Sequence, residues 1–246
     1  GCLLNKRWIF VNIIFSLFLF ILTTTLSCAY AGVGLDATRI IYNEGEKAVN
    51  VGVRNTDSKL NYLIQPSVST DLDKLNNAAP FVFSPSLFKL ESGSESIVKI
   101  MMLNHAKLPE KQESLFWFSV TAIPSSEKRV GISDFDVLRG GVKIAVGNTI
   151  KLIYRPKNLP VSPKEGAKNL KFGKTKEGML KAENGSPYYI NLSSLILGGR
   201  PVKSDNMMMI PPYGELVFKG IAPPKNLKEI QWNVINDNGG VENYRF

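Results

Sequence analysis

Two cations sit where an apolar strand would not carry them without a reason. Arg39 lies in Thr38-Arg39-Ile40-Ile41-Tyr42, and Lys151 stands between Ile150 and Leu152 in a run that closes with Tyr154-Arg155-Pro156. A charge in such a strand needs solvent at an edge, an internal counter-charge, or an anionic ligand, because a desolvated ion is costly. All three readings stay open on these residues alone. Catalysis has thinner support. His105, the only histidine, follows Asn104 and precedes Lys107, the setting of a solvated loop residue rather than a general base. There is no Gly-x-Ser-x-Gly elbow and no His-Glu-x-x-His pair. Gly173-Lys174-Thr175 resembles the end of a phosphate loop, but Lys168 occupies the position of the glycine that such a loop needs. Metal ligands of suitable type and spacing are lacking, so the expectation is a non-enzyme without cofactor or metal.

The elements that must position these cations read as strands. Val142, Ile144 and Val146 alternate with Lys143, Ala145 and Gly147, which puts three branched apolar side chains on one face of a strand running on to Ile150. Pro156 removes the next backbone donor and stops the pairing. A row of this kind belongs either to a core or to an open edge that accepts another chain. Val49, Val51 and Val53 alternate in the same way, as do Leu216 and Phe218, and Ile230, Trp232 and Val234. Turn signals separate them: Asn43-Glu44-Gly45, Asn55-Thr56-Asp57, Glu91-Ser92-Gly93, Gly198-Gly199 and Asp237-Asn238-Gly239-Gly240. Helical periodicity never exceeds about two turns. The pattern predicts an all-β chain of sandwiches, with Arg39 opening the first strand after the leader. Pro156, Pro160 and Pro163 mark a linker, which, after a leader over 1–31, predicts domains over 32–157 and 158–246.

The leader follows from charge and hydropathy. Lys6 and Arg7 precede an apolar stretch from Trp8 to Leu22, and Ala29-Tyr30-Ala31 offers small residues for cleavage before Gly32. A retained membrane anchor is the alternative, although the apolar stretch is at the short end for a span. Both cysteines, Cys2 and Cys28, lie in this leader, so the exported chain would fold without a disulfide. The 30 basic and 21 acidic residues give +9; Lys6 and Arg7 leave with the leader, which reduces this to +7. The lysines are scattered and no basic run exceeds two residues, which argues against nucleic-acid binding.

Several motifs, taken in order, resemble the PapD-like periplasmic chaperones of chaperone–usher pilus assembly. They are Asp36-x-Thr38-Arg39, Leu108-Pro109-x-x-x-Glu113-Ser114-Leu115-Phe116-Trp117-Phe118 closing with Ile123-Pro124, Ile150-Lys151-Leu152-x-Tyr154-Arg155-Pro156, Asn184-x-Ser186-Pro187-Tyr188-Tyr189, and Asn236-Asp237-x-Gly239-Gly240. Lys111, Ser119 and Ser84-Pro85-Ser86 depart from the usual pattern, the last replacing a tandem proline.

The resemblance implies two immunoglobulin-like β-sandwiches set as an L around a cleft. It implies that Arg39 and Lys151 bind the C-terminal carboxylate of a pilin subunit, and that Glu113, Arg155 and Asp237 form an ionic network between the domains. Val142, Ile144 and Val146 would be the donor strand that fills the subunit's missing position, stabilising it by several kcal/mol at about 25 cal/mol per Å² of apolar area. Implied partners are fimbrial subunits and an outer-membrane usher, in the periplasm, with no lasting membrane anchor. The free protein is left open between a monomer and a self-capping homodimer. A secreted immunoglobulin-like adhesin or binding module is the alternative.

Overall fold

The computed structural model describes residues 32–73, 79–104, 107–125, 146–204 and 207–246. The leader, His105, Val142 and Ile144 lie outside them. The described N-terminal strands are β1 (Val33–Leu35), β2 (Arg39–Asn43), β3 (Val49–Asn55), β4 (Asn61–Ser69), β5 (Phe81–Ser84), β6 (Phe88–Leu90), β7 (Glu95–Met102), β8 (Ser114–Ser125) and β9 (Val146–Arg155). Arg39 therefore opens the second strand, not the first: Val33–Leu35 adds a short strand of its own by pairing antiparallel with β3. Only three residues long, it gives too little alternation to stand out in the sequence.

These strands form two facing sheets, β1-β3-β7-β5 and β2-β9-β8-β4-β6. Period-2 alternation fills the space between them. Val51 and Val53 from β3 and Val98 and Ile100 from β7 meet Phe116, Phe118, Val120 and Ala122 from β8, together with Leu152 and Tyr154 from β9. Tyr42 reaches Phe81, and Phe81 reaches Phe116, through edge-on ring contacts at 5.5 and 5.0 Å. The Tyr42 hydroxyl is satisfied in this core: it donates to the Glu46 carbonyl at 2.9 Å and accepts from the Met102 amide at 3.2 Å. The Ser84–Pro85 peptide is cis despite the missing second proline.

The second half begins with a device hidden in the proline-rich linker. Pro163 is the first helical residue of α1 (Pro163–Lys168), where a missing N–H is harmless. Ser162 caps the helix: its Oγ accepts from the Glu165 amide at 3.2 Å, and the Glu165 carboxylate accepts from the Ser162 amide at 2.8 Å. The strands that follow are β10 (Lys171–Lys174), β11 (Leu180–Glu183), β12 (Ile190–Leu197), β13 (Arg200–Pro201), β14 (Met209–Ile210), β15 (Glu215–Phe218), β16 (Ile230–Ile235) and β17 (Val241–Arg245). They build the sheets β10-β11-β15 and β13-β12-β16-β17, with β14 also pairing β12. Their core gathers Phe172, Leu180, Ile190, Leu192, Leu195, Ile210, Phe218, Ile230 and Trp232. Trp232 satisfies its indole N–H on the Ala167 carbonyl of α1 at 2.9 Å, so the helix is tied to the sandwich.

Among the described residues one strand pair in the first sandwich is parallel, and it matters most for the site. β2 runs alongside β9 with Arg39 opposite Lys151, Ile40 opposite Leu152 and Asn43 opposite Arg155. Ile40, Tyr42, Leu152 and Tyr154 point into the core, so Arg39, Lys151 and Arg155 share the outer face.

Candidate functional site

The outer face of β2, β9 and β8 is not bare. Glu113, Trp117 and Ile153 are buried, yet Trp117 and Ile153 belong to neither hydrophobic core; Tyr188 and Asn191 of the second half are buried in the same way. The two sandwiches cover one another here, and the ionisable groups of interest lie along this junction.

Arg155 is its centre. The guanidinium donates from Nε to Glu113 Oε1 at 2.7 Å, and from Nη1 and Nη2 to the two oxygens of Asp237 at 2.7 and 2.8 Å. Two carboxylates, one from each sandwich, thus share a single planar fork. The Arg155 guanidinium also lies 5.2 Å from the centre of the Tyr188 ring. Glu113 Oε2 accepts the Tyr189 amide at 2.7 Å, and the Glu113 amide donates to the Pro187 carbonyl at 2.9 Å, so the segment before β12 is gripped at side chain and backbone. Burial raises the Glu113 carboxyl, while Arg155 and the Tyr189 amide oppose that rise. Asp237 is held below the ordinary carboxylate range, chiefly by its bonds to Arg155. Burial works against the charge of Arg155, but its bonds to Asp237 and the charge of Glu113 more than offset it, and its pKa is raised.

Asp237 is presented by a tight turn. The Asn236 side chain accepts from the Asn238 and Gly240 amides at 3.1 and 2.9 Å, and Gly239 takes φ +82°. A Cβ on Gly239 would come within 2.6 Å of Thr38 Oγ1, so this glycine is required twice, by its dihedral and by the close approach of the residue before Arg39.

Arg39 and Lys151 are differently placed. They are direct neighbours across the parallel ladder and both are half-buried. Neither forms an ion pair with a described carboxylate. Arg39 Nε is buried without a hydrogen-bond partner among the described residues. Asp237 attracts Arg39 at longer range, but burial still lowers the guanidinium below its usual value. Burial, and then the charge of Arg39, bring the Lys151 ammonium down to about 8. Its Nζ donates to Asn191 Oδ1 and lies 6.0 Å from the centre of the Trp117 ring. Two adjacent cations, neither paired with a described carboxylate, have the chemistry to donate charge-assisted hydrogen bonds to a carboxylate or a similar anion.

Beside them, part of β9 has a ladder partner on one side only among the described strands. β9 pairs β8 from Val146 to Tyr154, whereas β2 covers its other side only from Lys151 to Arg155. From Val146 to Ile150 that second side has no ladder partner among the described strands, apart from one side-chain bond, Asn148 Nδ2 to the Val33 carbonyl at 2.5 Å. Of the expected donor row, Val142 and Ile144 lie outside the described residues; Val146 opens β9.

Sequence reasoning reached Arg39, Lys151, Glu113, Arg155 and Asp237, and the structure brings the last three together and the first two side by side. It missed Asn191, the clearest available signal being a polar residue between Ile190 and Leu192 in an otherwise apolar stretch.

Residues 32–160 match the family described as pili and flagellar-assembly chaperone, PapD N-terminal domain, and residues 165–246 match pili assembly chaperone PapD, C-terminal domain. The chain is 34% identical over 213 residues to the chaperone protein FocC of Escherichia coli, covering 87% of this chain and 88% of that protein. It is 37% identical over 220 residues to the probable fimbrial chaperone protein ElfD of Escherichia coli, covering 87% of this chain and 88% of that protein. Among solved structures it is similar to the complex of the Salmonella enterica SafA pilin with the SafB chaperone, with a TM-score of 0.71 and 30% identity over 88% of this chain and 96% of the matched one.

Proposed function

The chain belongs to the PapD-like family of pilus-assembly chaperones, and from that premise we propose that it works in the periplasm, where it captures fimbrial subunits, completes their fold and hands them to an outer-membrane usher. The observation that carries this reading is the pair of half-buried cations, neither in an ion pair with a described carboxylate, at the foot of a stretch of β9 whose second side has no ladder partner among the described strands. A subunit lacking its last strand adds to that edge and takes the row Val142, Ile144 and Val146 into its own core, by the edge pairing that extended segments use elsewhere. Its C-terminal carboxylate sits on Arg39 and Lys151. From Lys151 back to Val142 is nine residues, or about 30 Å at ~3.3 Å per residue, so the captured segment is roughly ten residues long.

Affinity and alignment have different sources. Apolar burial of the row supplies most of the free energy. The carboxylate anchor fixes register, since a slip of one residue would turn the apolar row away from the groove. Glu113, Arg155 and Asp237 act on the two sandwiches rather than on the client, holding them in the relation the cleft needs. Release follows exchange of the donated strand for the next subunit's own strand, which requires no nucleotide. Co-expression with fimbrial subunits tests the reading. Arg39→Ala and Lys151→Ala should each abolish recovery of subunits from the periplasm while the chaperone itself accumulates folded. Unchanged recovery in both variants would remove the anchor.

A further inference from the structure

We propose that Asn191 is a positioning residue for the anion receptor: it holds the Lys151 ammonium toward the junction and contributes its own amide to the same anion. The inference rests on the carboxylate-anchor reading above and adds a residue from the second sandwich to it.

Ile190 and Leu192 point into the second core, so Asn191 between them points out of that sandwich. An outward polar residue is ordinarily solvated, yet Asn191 is only 4% exposed. It is covered because the first sandwich lies against it, and the group it meets is Lys151, whose Nζ donates to Asn191 Oδ1. The backbone around it is fixed: Asn191 pairs with Met209 of β14, the Leu192 amide donates to the Met208 carbonyl at 2.8 Å, and a register shift in the β12–β16 ladder follows between Leu192 and Ser194. Such irregularities re-aim side chains.

A lysine on a four-carbon stem has wide rotational freedom, and a receptor built from it loses affinity to the ordering of that stem. Asn191 orders it beforehand. A neutral carbonyl suits the task better than a carboxylate: it accepts one N–H without cancelling the charge, so the ammonium's remaining protons stay available to an incoming anion. The Asn191 amide nitrogen makes no hydrogen bond to a described residue and keeps its own N–H donors for that anion. The charged group acting on Lys151 from the neighbouring strand is Arg39, which Asp237 in turn attracts; Trp117 and Asn191 face Lys151 as neutral groups.

The test compares Asn191→Ala and the near-isosteric Asn191→Asp with the parent chain. The probe is a soluble ten-residue peptide of alternating apolar and polar residues, offered with a free C-terminal carboxylate or as its amide. The parent should prefer the carboxylate, and Asn191→Ala should reduce that preference about tenfold, the scale of one hydrogen bond to a charged group. In Asn191→Asp the new carboxylate should occupy Lys151, abolish the preference, and move the titration of the Lys151 ammonium, followed by nitrogen-detected NMR, upward from about 8. Equal preference and an unshifted Lys151 titration in both variants would overturn the assignment while leaving the anchor intact. A parent chain that binds acid and amide alike would instead overturn the anchor, and Asn191's role with it. Asn191→Asp keeps the shape, so the test survives if Asn191→Ala fails to fold.

Discussion

Replacing Lys151 by Met should reveal how much the half-buried charge of Lys151 destabilises the free chaperone. Its ammonium titrates near 8 where an ordinary lysine titrates at 10.5, because burial and Arg39 disfavour the charge. The sign follows from linkage. Between those two values the unfolded chain binds more protons than the folded one, so the parent gains stability as pH rises through that window. Below about 8 the penalty is present in full; near 10.5 it is gone. At ~1.4 kcal/mol per pKa unit the unscreened difference is about 3 kcal/mol, and the group is far enough from fully buried that solvent screening reduces this to about 1 to 2 kcal/mol. Lys151→Met has no such window. It also strands Asn191 Oδ1, at about 1 to 3 kcal/mol, but that loss does not vary with pH and cancels when two pH values are compared. Urea unfolding of both proteins at about pH 7 and about pH 10 gives the quantity needed: the stability of the Met variant relative to the parent should fall by about 1 to 2 kcal/mol across the interval. A relative stability that stays level, or moves the other way, would show that Lys151 is not charged at a cost in the free state.

On the proposed reading the same titration would govern capture: binding of a carboxylate-ended segment should be level below about pH 8 and weaken as Lys151 loses its proton above it, measurable by calorimetry across that range. Arg155→Ala strands the buried Glu113 and should destabilise the protein by about 3 to 5 kcal/mol in denaturant unfolding; adding Glu113→Gln should recover part of that loss. Gly239→Ala should destabilise through both its φ of +82° and the contact with Thr38, and Thr38→Ala should recover only the contact's share. A double variant no better than Gly239→Ala alone would deny that the two loops press together.

Much of the fold was legible because alternation with period 2 has few readings. Val51 and Val53, or Ile230, Trp232 and Val234, announce a strand and its buried face together. The two domains were legible from the proline cluster, but its detail was not: Ser162-Pro163-x-Glu165 is a complete capping box, and prolines read as linker hid a helix start. Arg39 and Lys151 stood out by chemistry, whereas their adjacency depended on a parallel pairing between segments more than a hundred residues apart, which no local pattern encodes. Asn191 escaped for a related reason. Asparagine is common on strand surfaces, and only the packing of one sandwich on the other turns this one into a buried partner of Lys151. The short β1 was lost to its length.

β2 joins β9 only from Lys151 onward, and if the proposed capture holds, that late start works as a ruler. A guest ribbon laid along the stretch of β9 without a described ladder partner would lie in line with β2 and would have to end where Arg39 begins that strand. On the proposed reading, a client carrying even a short appended tail beyond its natural terminus has no room for those extra residues and must either forgo the cations or shift its whole length backward, so fimbrial subunits tagged at that end should be refused where those tagged at the other are accepted.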